Sequence, residues 1–264
     1  MDLQLSGKRA LISGSTADIG FAIATELARE GVKIVLNGRR PQQVAEAAER
    51  LRHLVSGAEV DGVAADLATA DGVAALIAGC PQVDILVNNL GIFDPVPFEA
   101  IPDSEWQRFF EINVMSGVRL SRHYLPLMKA ANWGRIVFIS SESGINPPTE
   151  MLHYGMTKAA QLSLSRGLAQ TTTGTGVTVN AVLPGPTRSE GVAEFLGKLA
   201  AEQGITQAAM EQRFFADARP TSILKRLIEP AEVAALVTYL CSARASATNG
   251  AALRVEGGVV SSMC

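Results

Sequence analysis

The chain alternates short apolar runs with longer segments in which apolar positions recur at helical spacing. Six of the runs predict strands: "KRALIS", "VKIVLN", "DGVAADL", "VDILVNN", "GRIVFISS" and "VTVNAVL". The segments between them predict helices, and a last helix at 230–242 leads to a closing run, "AALRVEGG". Because the strands are apolar almost throughout and alternate with helices, we expect an α/β fold: a doubly wound, Rossmann-like parallel sheet with helices on both faces.

The domain organisation follows from what the chain lacks. No Gly/Ser-rich or Pro-rich linker divides it and no internal repeat is visible, so we expect residues 1–264 to form a single domain. The longest helical segment is predicted at 103–130, with a kink or a break at Pro126, because proline removes a backbone donor.

Segment 190–226 interrupts the alternation, since it is helical in pattern and rich in Ala, Gln and Phe. An insertion after the carboxyl end of a strand predicts a small helical lid over a substrate. Its mixture of Phe, Leu, Gln and Arg favours a mostly apolar substrate of modest size. Candidate pocket residues are Met151, Met156 and the pair Phe214–Phe215, although such side chains are more often core.

Composition narrows the classes of function. The formal net charge is −3 and no Lys/Arg-rich run occurs, which argues against nucleic acid or an anionic membrane as the main partner. The start lacks the layout of a signal peptide, and no apolar run approaches the roughly 20 residues needed to span a bilayer, so we expect a cytoplasmic protein. Cys80, Cys241 and Cys264 form neither a disulfide framework nor a zinc spacing, and with only three histidines we expect no metal site.

The first strand runs into the turn "LISGSTADIG", with Gly14 after the strand and Gly20 at the start of the next helix. Such a turn is either a tight strand–helix connection or a site where the helix N-terminus binds a pyrophosphate. The candidate cofactor-binding residues here are Gly14, Ser15, Thr16, Asp18, Ile19 and Gly20. We expect Asp18 to cap its own helix with its side chain directed away from the phosphates.

The second strand ends in Asn37, Gly38, Arg39 and Arg40. An NAD-type site often has a carboxylate there to bind the ribose hydroxyl, and none is present. A guanidinium suits a phosphate monoester, although a solvated arginine pair at a helix start is the plainer interpretation. We therefore expect NADP(H) to be favoured and NAD(H) to be possible, with Arg39 as the main contact and Arg40 beside it.

The run "YGMTK" places Tyr154 and Lys158 on one face of a predicted helix. An ammonium about 4 Å from a phenol, at an effective dielectric near 20, contributes about 4 kcal/mol and lowers the phenol pKa by up to about 3 units. The fifth strand ends in Ser140 and Ser141, and a serine there can bind a substrate carbonyl. Asn113 lies in the long helix, where asparagine is mildly unfavourable, which suggests a structural or water-holding role.

His153 precedes Tyr154, and adjacent helical residues face different directions, so we expect a surface or substrate-lining position for it rather than a catalytic one.

With these motifs together, the chain resembles the short-chain dehydrogenase/reductase family in its classical branch. The resemblance rests on "SGSTADIG", "DL" at 66–67, "NNLG", "INV" at 112–114, "ISSES", "YGMTK", "VNAVLPGPTRS" and "VEGG", which follow the family order over nearly the whole chain. It implies that Tyr154 donates or accepts the proton and that Lys158 lowers the pKa of that phenol and binds the nicotinamide ribose. It also implies that Ser141, rather than Ser140, holds the substrate oxygen, and that Asn113 anchors a water of a proton relay.

The resemblance also implies the rest of the cofactor site. Asp66 and Leu67 would meet the adenine, and Asn89 and Gly91 would line the adenosine side. Further along, Pro184 and Gly185 would flank the nicotinamide, and either Thr187 or Ser189 would bind its carboxamide. Two residues depart from the family pattern: Asp18 stands where a third glycine is usual, and Leu90 stands where alanine is usual, which is expected to narrow the cofactor crevice.

These features predict an NAD(P)-dependent oxidoreductase that transfers hydride between nicotinamide and a ketone or secondary alcohol by a Ser-Tyr-Lys mechanism. The expected partners are a small carbonyl or alcohol substrate and further copies of the chain, as a homo-oligomer (tetramer or dimer). A non-catalytic nucleotide-binding regulator on the same fold is the main alternative, and an epimerase or dehydratase is a third. A regulator has no need of a poised phenol, and the third class is usually longer.

Overall fold

The fold is a single twisted sheet between two layers of helices, seen in a computed structural model that describes residues 2–263. The strands are β1 (Arg9–Ile12), β2 (Lys33–Gly38), β3 (Val60–Ala64), β4 (Ile85–Asn88), β5 (Gly134–Ile139), β6 (Val177–Pro184) and β7 (Ala252–Val255). They pair in the order β3-β2-β1-β4-β5-β6-β7, and every pairing is parallel. The predicted doubly wound parallel sheet is confirmed.

The helices follow the strands as the alternation predicts. They are α1 (Asp18–Arg29), α2 (Pro41–Leu54), α3 (Ala70–Gly79), α4 (Asp103–Phe110), α5 (Ser116–Ala130), α6 (Leu152–Gln170), α7 (Glu190–Gln203), α8 (Gln207–Asp217) and α9 (Pro230–Cys241). A π-helical turn at Glu111–Met115 joins α4 to α5, so the predicted long helix is continuous. Such wide turns are frequent at functional sites.

Two apolar cores explain why neighbouring strand residues are both hydrophobic. Leu11 packs into one core with α3, α5 and α6, and Ile12 packs into the other with α1, α2 and α9. Successive strand side chains point to opposite faces, so a sheet covered on both sides needs apolar residues at nearly every position.

The expected break at Pro126 does not occur, because α5 runs through it to Ala130. Pro126 and Arg122, the residue one turn earlier whose carbonyl loses its partner, are both exposed, so water can satisfy that carbonyl. Leu125 and Met128 are buried on the other side and hold the last turn against the sheet.

Helices α7 and α8 form a small layer of their own over one end of the sheet. Leu196, Met210, Phe215 and Leu227 share a separate apolar cluster there. The helical character expected of segment 190–226 is therefore present at 190–203 and 207–217.

The described residues also bear on the cysteines, on membrane crossing and on metal binding. Cys80 and Cys241 are buried free thiols, whereas Cys264 lies outside the described residues. No helix within residues 2–263 combines the length and apolar character that crossing a membrane requires. Over the same range, no cluster of three or more His, Cys, Asp or Glu side chains could hold a metal ion.

Candidate active site

A cleft with a cavity of about 770 Å³ opens at the carboxyl ends of the strands. It spans the point between β1 and β4 where the strand order reverses, which is where parallel α/β sheets bind ligands. The loops after β1, β2, β4, β5 and β6 line it, together with α7 and α8.

The glycine turn forms one end of this cleft. Gly14 has a left-handed φ of 59°, and a Cβ on Gly20 would lie 2.5 Å from the Gly14 carbonyl oxygen and 2.6 Å from Asn89 Nδ2. A side chain at Gly14 would be strained by this φ, and one at Gly20 would have to displace the backbone. Helix α1 begins here with Ala17 as its N-cap and no side-chain cap, so its first N–H groups are open to an anion. The turn fits a cofactor pyrophosphate.

Buried polar side chains fix the shape of the turn. Asn89 Nδ2 donates to the carbonyl oxygens of Ser13 and Gly14, at 3.0 and 2.9 Å. Ser15 Oγ donates to the Ile12 carbonyl and accepts from the Asn37 N–H. Ser15 is fully buried and its side chain lies beneath the turn, so it supports the loop rather than lining the cleft.

Asp18 has a left-handed φ of 51°, which explains why glycine suits this position and why aspartate is among the few tolerated alternatives. The sequence suggested that the Asp18 carboxylate caps its own helix, but it does not. Instead Oδ1 accepts a 2.8 Å hydrogen bond from the N–H of Glu190, the first residue of α7. The residue that replaces the expected glycine therefore joins the phosphate loop to the layer over the cleft.

The two arginines after β2 occupy different environments. Arg39 is exposed and lines the cleft, and among residues 2–263 it has no acidic partner within ion-pair distance. Arg40 also is exposed but does not line the cleft, and its Nε donates to Gln43 Oε1 at 2.8 Å. Of the pair, only Arg39 is placed to meet a ligand in the cleft.

The adenine-side candidates are only partly brought together. Leu67 and Gly91 line the cleft, and Leu90 lies against Gly14 and lines it as well, as expected of a crevice-narrowing side chain. Asp66 is exposed and does not line the cleft, and its Oδ1 accepts from the Ala68 N–H.

The nicotinamide-side candidates all line the cleft: Pro184, Gly185, Thr187 and Ser189. A Cβ on Gly185 would lie 2.7 Å from the Glu256 carbonyl oxygen, so only glycine fits there. Thr187 Oγ1 donates to the Gly185 carbonyl and keeps its lone pairs. Ser189 Oγ accepts from the Val192 N–H as the N-cap of α7. Both residues line the cleft, so the choice between them stays open.

At the other end of the cleft lie the side chains of Ser141, Tyr154 and Lys158. Ser141 follows β5, whereas Tyr154 and Lys158 lie one turn apart on α6. The Lys158 Nζ atom lies 5.5 Å from the Tyr154 ring centroid and donates to the Ile139 carbonyl at 2.9 Å. Ser140 is turned away, because its Oγ donates to the Lys158 carbonyl.

The pKa directions reverse one expectation from the sequence. Burial raises the pKa of the Tyr154 phenol above its ordinary value of 10, the neighbouring Ser141 hydroxyl lowers it, and the Glu142 carboxylate raises it further. The Arg219 guanidinium lowers that pKa. Burial also lowers the pKa of Lys158 to about 7, against an opposing effect of Glu142. The net lowering of the Tyr154 pKa that the sequence predicts is therefore wrong for this structure, because desolvation by burial is the largest effect on the phenol and raises its pKa.

Asn113 is buried in the π-helical turn rather than open to the cleft. Its Oδ1 accepts from the Ile92 N–H at 2.8 Å, and its Nδ2 donates to Thr157 Oγ1 at 2.9 Å. Gln161 Nε2 donates to the Asn113 carbonyl, and Gln161 Oε1 accepts from Lys158 Nζ at 3.3 Å. The side chain of Gln161 therefore connects Asn113 to Lys158 through two hydrogen bonds. Sequence reasoning missed Gln161.

Glu142, Glu150 and Arg219 also line the cleft and were missed. Glu142 directly follows Ser141, so its position beside the catalytic candidate was visible in "ISSES". Nothing in the sequence connects it to Arg219, which follows α8.

Only some of the remaining aromatic and methionine candidates line the cleft. Met151 and Phe214 line the cleft, whereas Met156 is exposed elsewhere and Phe215 belongs to the core of the α7–α8 layer. His153 is neither at the surface nor substrate-lining, because it is 1% exposed and packs on Phe109 with ring centroids 3.9 Å apart. Burial lowers its pKa, and its Nδ1 has no hydrogen-bond partner within the described chain.

Known proteins resemble this chain along its whole length. A family model described as short chain dehydrogenase matches residues 8–198. YvaG of Bacillus subtilis (strain 168), an uncharacterized oxidoreductase, is 51% identical over 263 residues, with 100% of both chains covered. The crystal structure of L-sorbose reductase from Gluconobacter frateurii, complexed with NADPH and L-sorbose, has a TM-score of 0.94 and 33% identity, with 100% of both chains covered. A 3-oxoacyl-(acyl-carrier protein) reductase from Brucella melitensis with bound NAD has a TM-score of 0.82 and 26% identity, covering 96% of this chain and 91% of that one.

Proposed function

The chain belongs to the short-chain dehydrogenase family, and from that premise we propose that it is an NADP(H)-preferring oxidoreductase that interconverts a ketone and a secondary alcohol. The observation that carries the proposal is the arrangement of one cleft, with an open helix N-terminus at one end and Ser141, Tyr154 and Lys158 at the other. When bound, the nicotinamide cofactor supplies or accepts the hydride.

In this proposal the chain's own residues handle the oxygen of the substrate. The Ser141 hydroxyl, which donates to Glu142 Oε2 in the structure, turns to the substrate and binds that oxygen, and Tyr154 gives it a proton in reduction or takes one in oxidation. Because the pKa of Tyr154 lies above neutral pH, the phenol carries the proton that the reductive direction requires. Lys158, when protonated, places a positive charge beside the phenol and stabilises it after the proton has left.

The replacement Tyr154→Phe tests this assignment. It removes only the phenolic oxygen, so we expect nearly all turnover to be lost while NADPH affinity, measured by the fluorescence of the bound cofactor, stays within about twofold of wild type. A non-catalytic regulator predicts instead that wild type and variant bind NADPH alike and that neither reduces any ketone in a cofactor-absorbance screen. Retained turnover in the variant contradicts the assigned role of Tyr154.

The preference for NADP(H) is supported by Arg39, the exposed guanidinium at the cleft end of β2, and by the absence of an acid at that strand end. A charge-assisted hydrogen bond to a phosphate contributes about 1.5–3 kcal/mol, or roughly a tenfold to hundredfold preference. Arg39→Ala should therefore weaken NADPH binding by that factor and leave NADH binding unchanged. Arg40→Ala is the matched control, because Arg40 does not line the cleft, and equal wild-type affinities for the two cofactors contradict the proposal.

Helices α7 and α8 are proposed as the substrate lid, since they carry apolar side chains over the cleft and have a separate core. Arg188 at the base of this lid pairs with Glu211 on α8 and with Glu229 before α9, at 3.1 and 2.9 Å. The assembly we expect is a cytoplasmic homo-oligomer, a tetramer or a dimer, which light scattering after gel filtration measures.

A further inference from the structure

Three charged side chains line the substrate end of the cleft and take no part in the proposed proton transfer: Glu142, Glu150 and Arg219. Glu142 lies in a short turn after β5, directly behind Ser141, and Arg219 follows the last turn of α8. The side chains of Glu142 and Arg219 are only 7% and 12% exposed. Since a buried ion pair gains little stability over apolar residues of similar size, its place beside the reacting groups calls for a functional explanation.

Each oxygen of Glu142 has a different environment. Oε2 accepts from Ser141 Oγ, and at 2.9 Å from the Ser143 N–H, so it is occupied by the turn itself. Oε1 lies 3.6 Å from Arg219 Nε, and no donor within residues 2–263 comes within hydrogen-bond distance of it. A buried carboxylate oxygen with an unused lone pair therefore borders the cavity beside the proposed carbonyl-binding serine.

Arg219 is held at this place by two further contacts. Its Nη1 donates to Glu150 Oε1 at 3.1 Å and to the Ala218 carbonyl at 2.8 Å. The guanidinium thus keeps a fixed orientation with Nε directed at Glu142. A hydroxyl that approaches the pair from the side can reach one donor, Nε, and one acceptor, Oε1, which lie 3.6 Å apart.

The charges select among possible ligands. Two carboxylates and one guanidinium leave the cluster with a net charge of −1, and the Arg213–Asp217 pair nearby on α8 is neutral. Lys158 also lines the cleft, but burial lowers its pKa to about 7, so it is only partly charged at neutral pH. A substrate carboxylate or phosphate would be repelled by Glu142 and Glu150. A hydroxyl suits the cluster, because it donates to Glu142 Oε1 and accepts from Arg219 Nε at once.

We propose that Glu142 and Arg219 form a substrate subsite that binds a hydroxyl group next to the reacting carbon, so that the substrate is a neutral hydroxylated ketone or the corresponding alcohol. This rests on the proposed function for its placement of the carbonyl at Ser141. It also changes the expectation of a mostly apolar substrate: Val192, Phe195 and Phe214 of the lid give the cavity one apolar wall, and the charged cluster gives it a polar wall.

The test compares ketones that share a skeleton and differ in one group: acetone, hydroxyacetone and the anion pyruvate. A hydrogen bond to a charged group is worth roughly tenfold to hundredfold, so wild type should show kcat/KM for hydroxyacetone higher than for acetone by that factor. Pyruvate should be the poorest substrate of the three. Equal kcat/KM for acetone and hydroxyacetone, or a preference for pyruvate, overturns the proposal.

The variant Glu142→Gln keeps the shape and removes the charge. Because Glu142 also holds Ser141, both neutral ketones should slow, and the ratio of their kcat/KM values is the informative quantity. We expect that ratio to fall about tenfold. Glu232→Gln is the matched control, since Glu232 pairs with Arg226 outside the cleft and its loss should leave the ratio unchanged. An equal slowing of both ketones in Glu142→Gln means that the pair only supports Ser141, and the subsite is refuted.

A binding measurement separates failure of the subsite from failure of the proposed function. Hydroxyacetone is titrated calorimetrically into the Tyr154→Phe variant loaded with NADPH, and into the Tyr154→Phe, Glu142→Gln double variant. Binding that weakens about tenfold in the double variant supports the subsite, and does so even if wild type reduces no ketone, an outcome in which the proposed function alone fails. Absence of hydroxyacetone binding in both overturns the subsite.

Discussion

Asp18 offers the sharpest perturbation, because one side chain stands at a backbone position that favours glycine and also bonds to another helix. Its φ is 51°, and its Oδ1 accepts from the N–H of Glu190 at 2.8 Å. Three replacements separate the two effects. Asp18→Gly removes the hydrogen bond and the backbone strain, Asp18→Ala removes the bond and keeps the strain, and Asp18→Asn keeps the acceptor and tolerates the left-handed conformation.

The magnitudes follow from the two contributions. Loss of a cap-like hydrogen bond to an exposed helix N-terminus costs about 1 kcal/mol. A left-handed conformation costs about 1–2 kcal/mol for an ordinary L-residue and less for aspartate or asparagine. The two nearly cancel in Asp18→Gly, so its free energy of unfolding should match wild type. Asp18→Ala should lose about 1–2 kcal/mol, equivalent to a fall in Tm of roughly 2–6 °C.

The assay is amide hydrogen exchange at the start of α7, with thermal unfolding alongside. Without its bond to Asp18, the Glu190 end of α7 should open about 1 kcal/mol more easily, and its exchange should be about fivefold faster in both Asp18→Gly and Asp18→Ala. Asp18→Asn should exchange as wild type does. Because the carboxylate is directed at Glu190, removal of its charge should raise NADPH affinity by less than a few fold.

Two outcomes refute this reasoning. If Asp18→Ala is as stable as Asp18→Gly, the left-handed conformation carries no cost at this position. If Asp18→Gly binds NADPH more than tenfold tighter with unchanged exchange in α7, the carboxylate acts on the cofactor rather than on the lid.

Two further predictions concern the turn and the buried lysine. Gly20→Ala places a Cβ 2.5 Å from the Gly14 carbonyl oxygen and should abolish NADPH binding, measured by fluorescence. The control Gly197→Ala lies in open space on α7 and should raise Tm slightly, because alanine favours a helix by about 1 kcal/mol over glycine. NADPH binding by Gly20→Ala contradicts the argument that only glycine fits the turn. Burial lowers the pKa of Lys158 from 10.5 to about 7, so the unfolded chain binds the extra proton between these values and the free energy of unfolding should rise with pH across that window. Urea unfolding at about pH 7 and about pH 9 measures that rise, and it should be reduced in Lys158→Met; an unchanged slope in the variant shows that another group causes it.

The positions of the strands along the chain were predictable, because a sheet covered on both faces requires apolar residues at nearly every strand position. Leu11 and Ile12 point to opposite cores, and both must be apolar. The helix through Pro126 was harder, since its continuity depends on whether the freed carbonyl of Arg122 meets water or protein. Whether water reaches this carbonyl depends on which face of α5 is buried, and the presence of a proline does not indicate that face.

The sequence predicted many of the residues that line the cleft, but it did not predict how burial changes the pKa values of their ionisable groups. The spacing of Tyr154 and Lys158 puts them on one face, and the structure keeps them one turn apart on α6. The direction of the Tyr154 pKa depends on desolvation by segments distant in sequence, so a calculation from the pair alone gave the wrong sign. Gln161 was missed for a similar reason, because its partner, the Asn113 carbonyl, belongs to another helix.

The two carboxylates that sequence reasoning placed wrongly or missed have a common consequence for the cleft. Asp18 bonds the start of α7 to the phosphate loop, and Glu142 pairs with Arg219 at the end of α8 beside Ser141. Helices α7 and α8 share one apolar cluster, so they are expected to move together. The proposed lid is thus held by contacts at both of its helices: α7 is bonded to the glycine turn, and α8 is paired with the residue that follows Ser141. Loss of either the Asp18–Glu190 hydrogen bond or the Glu142–Arg219 pair should therefore increase hydrogen exchange in both helices. An increase confined to α7 in Asp18→Gly would show that the two helices open independently.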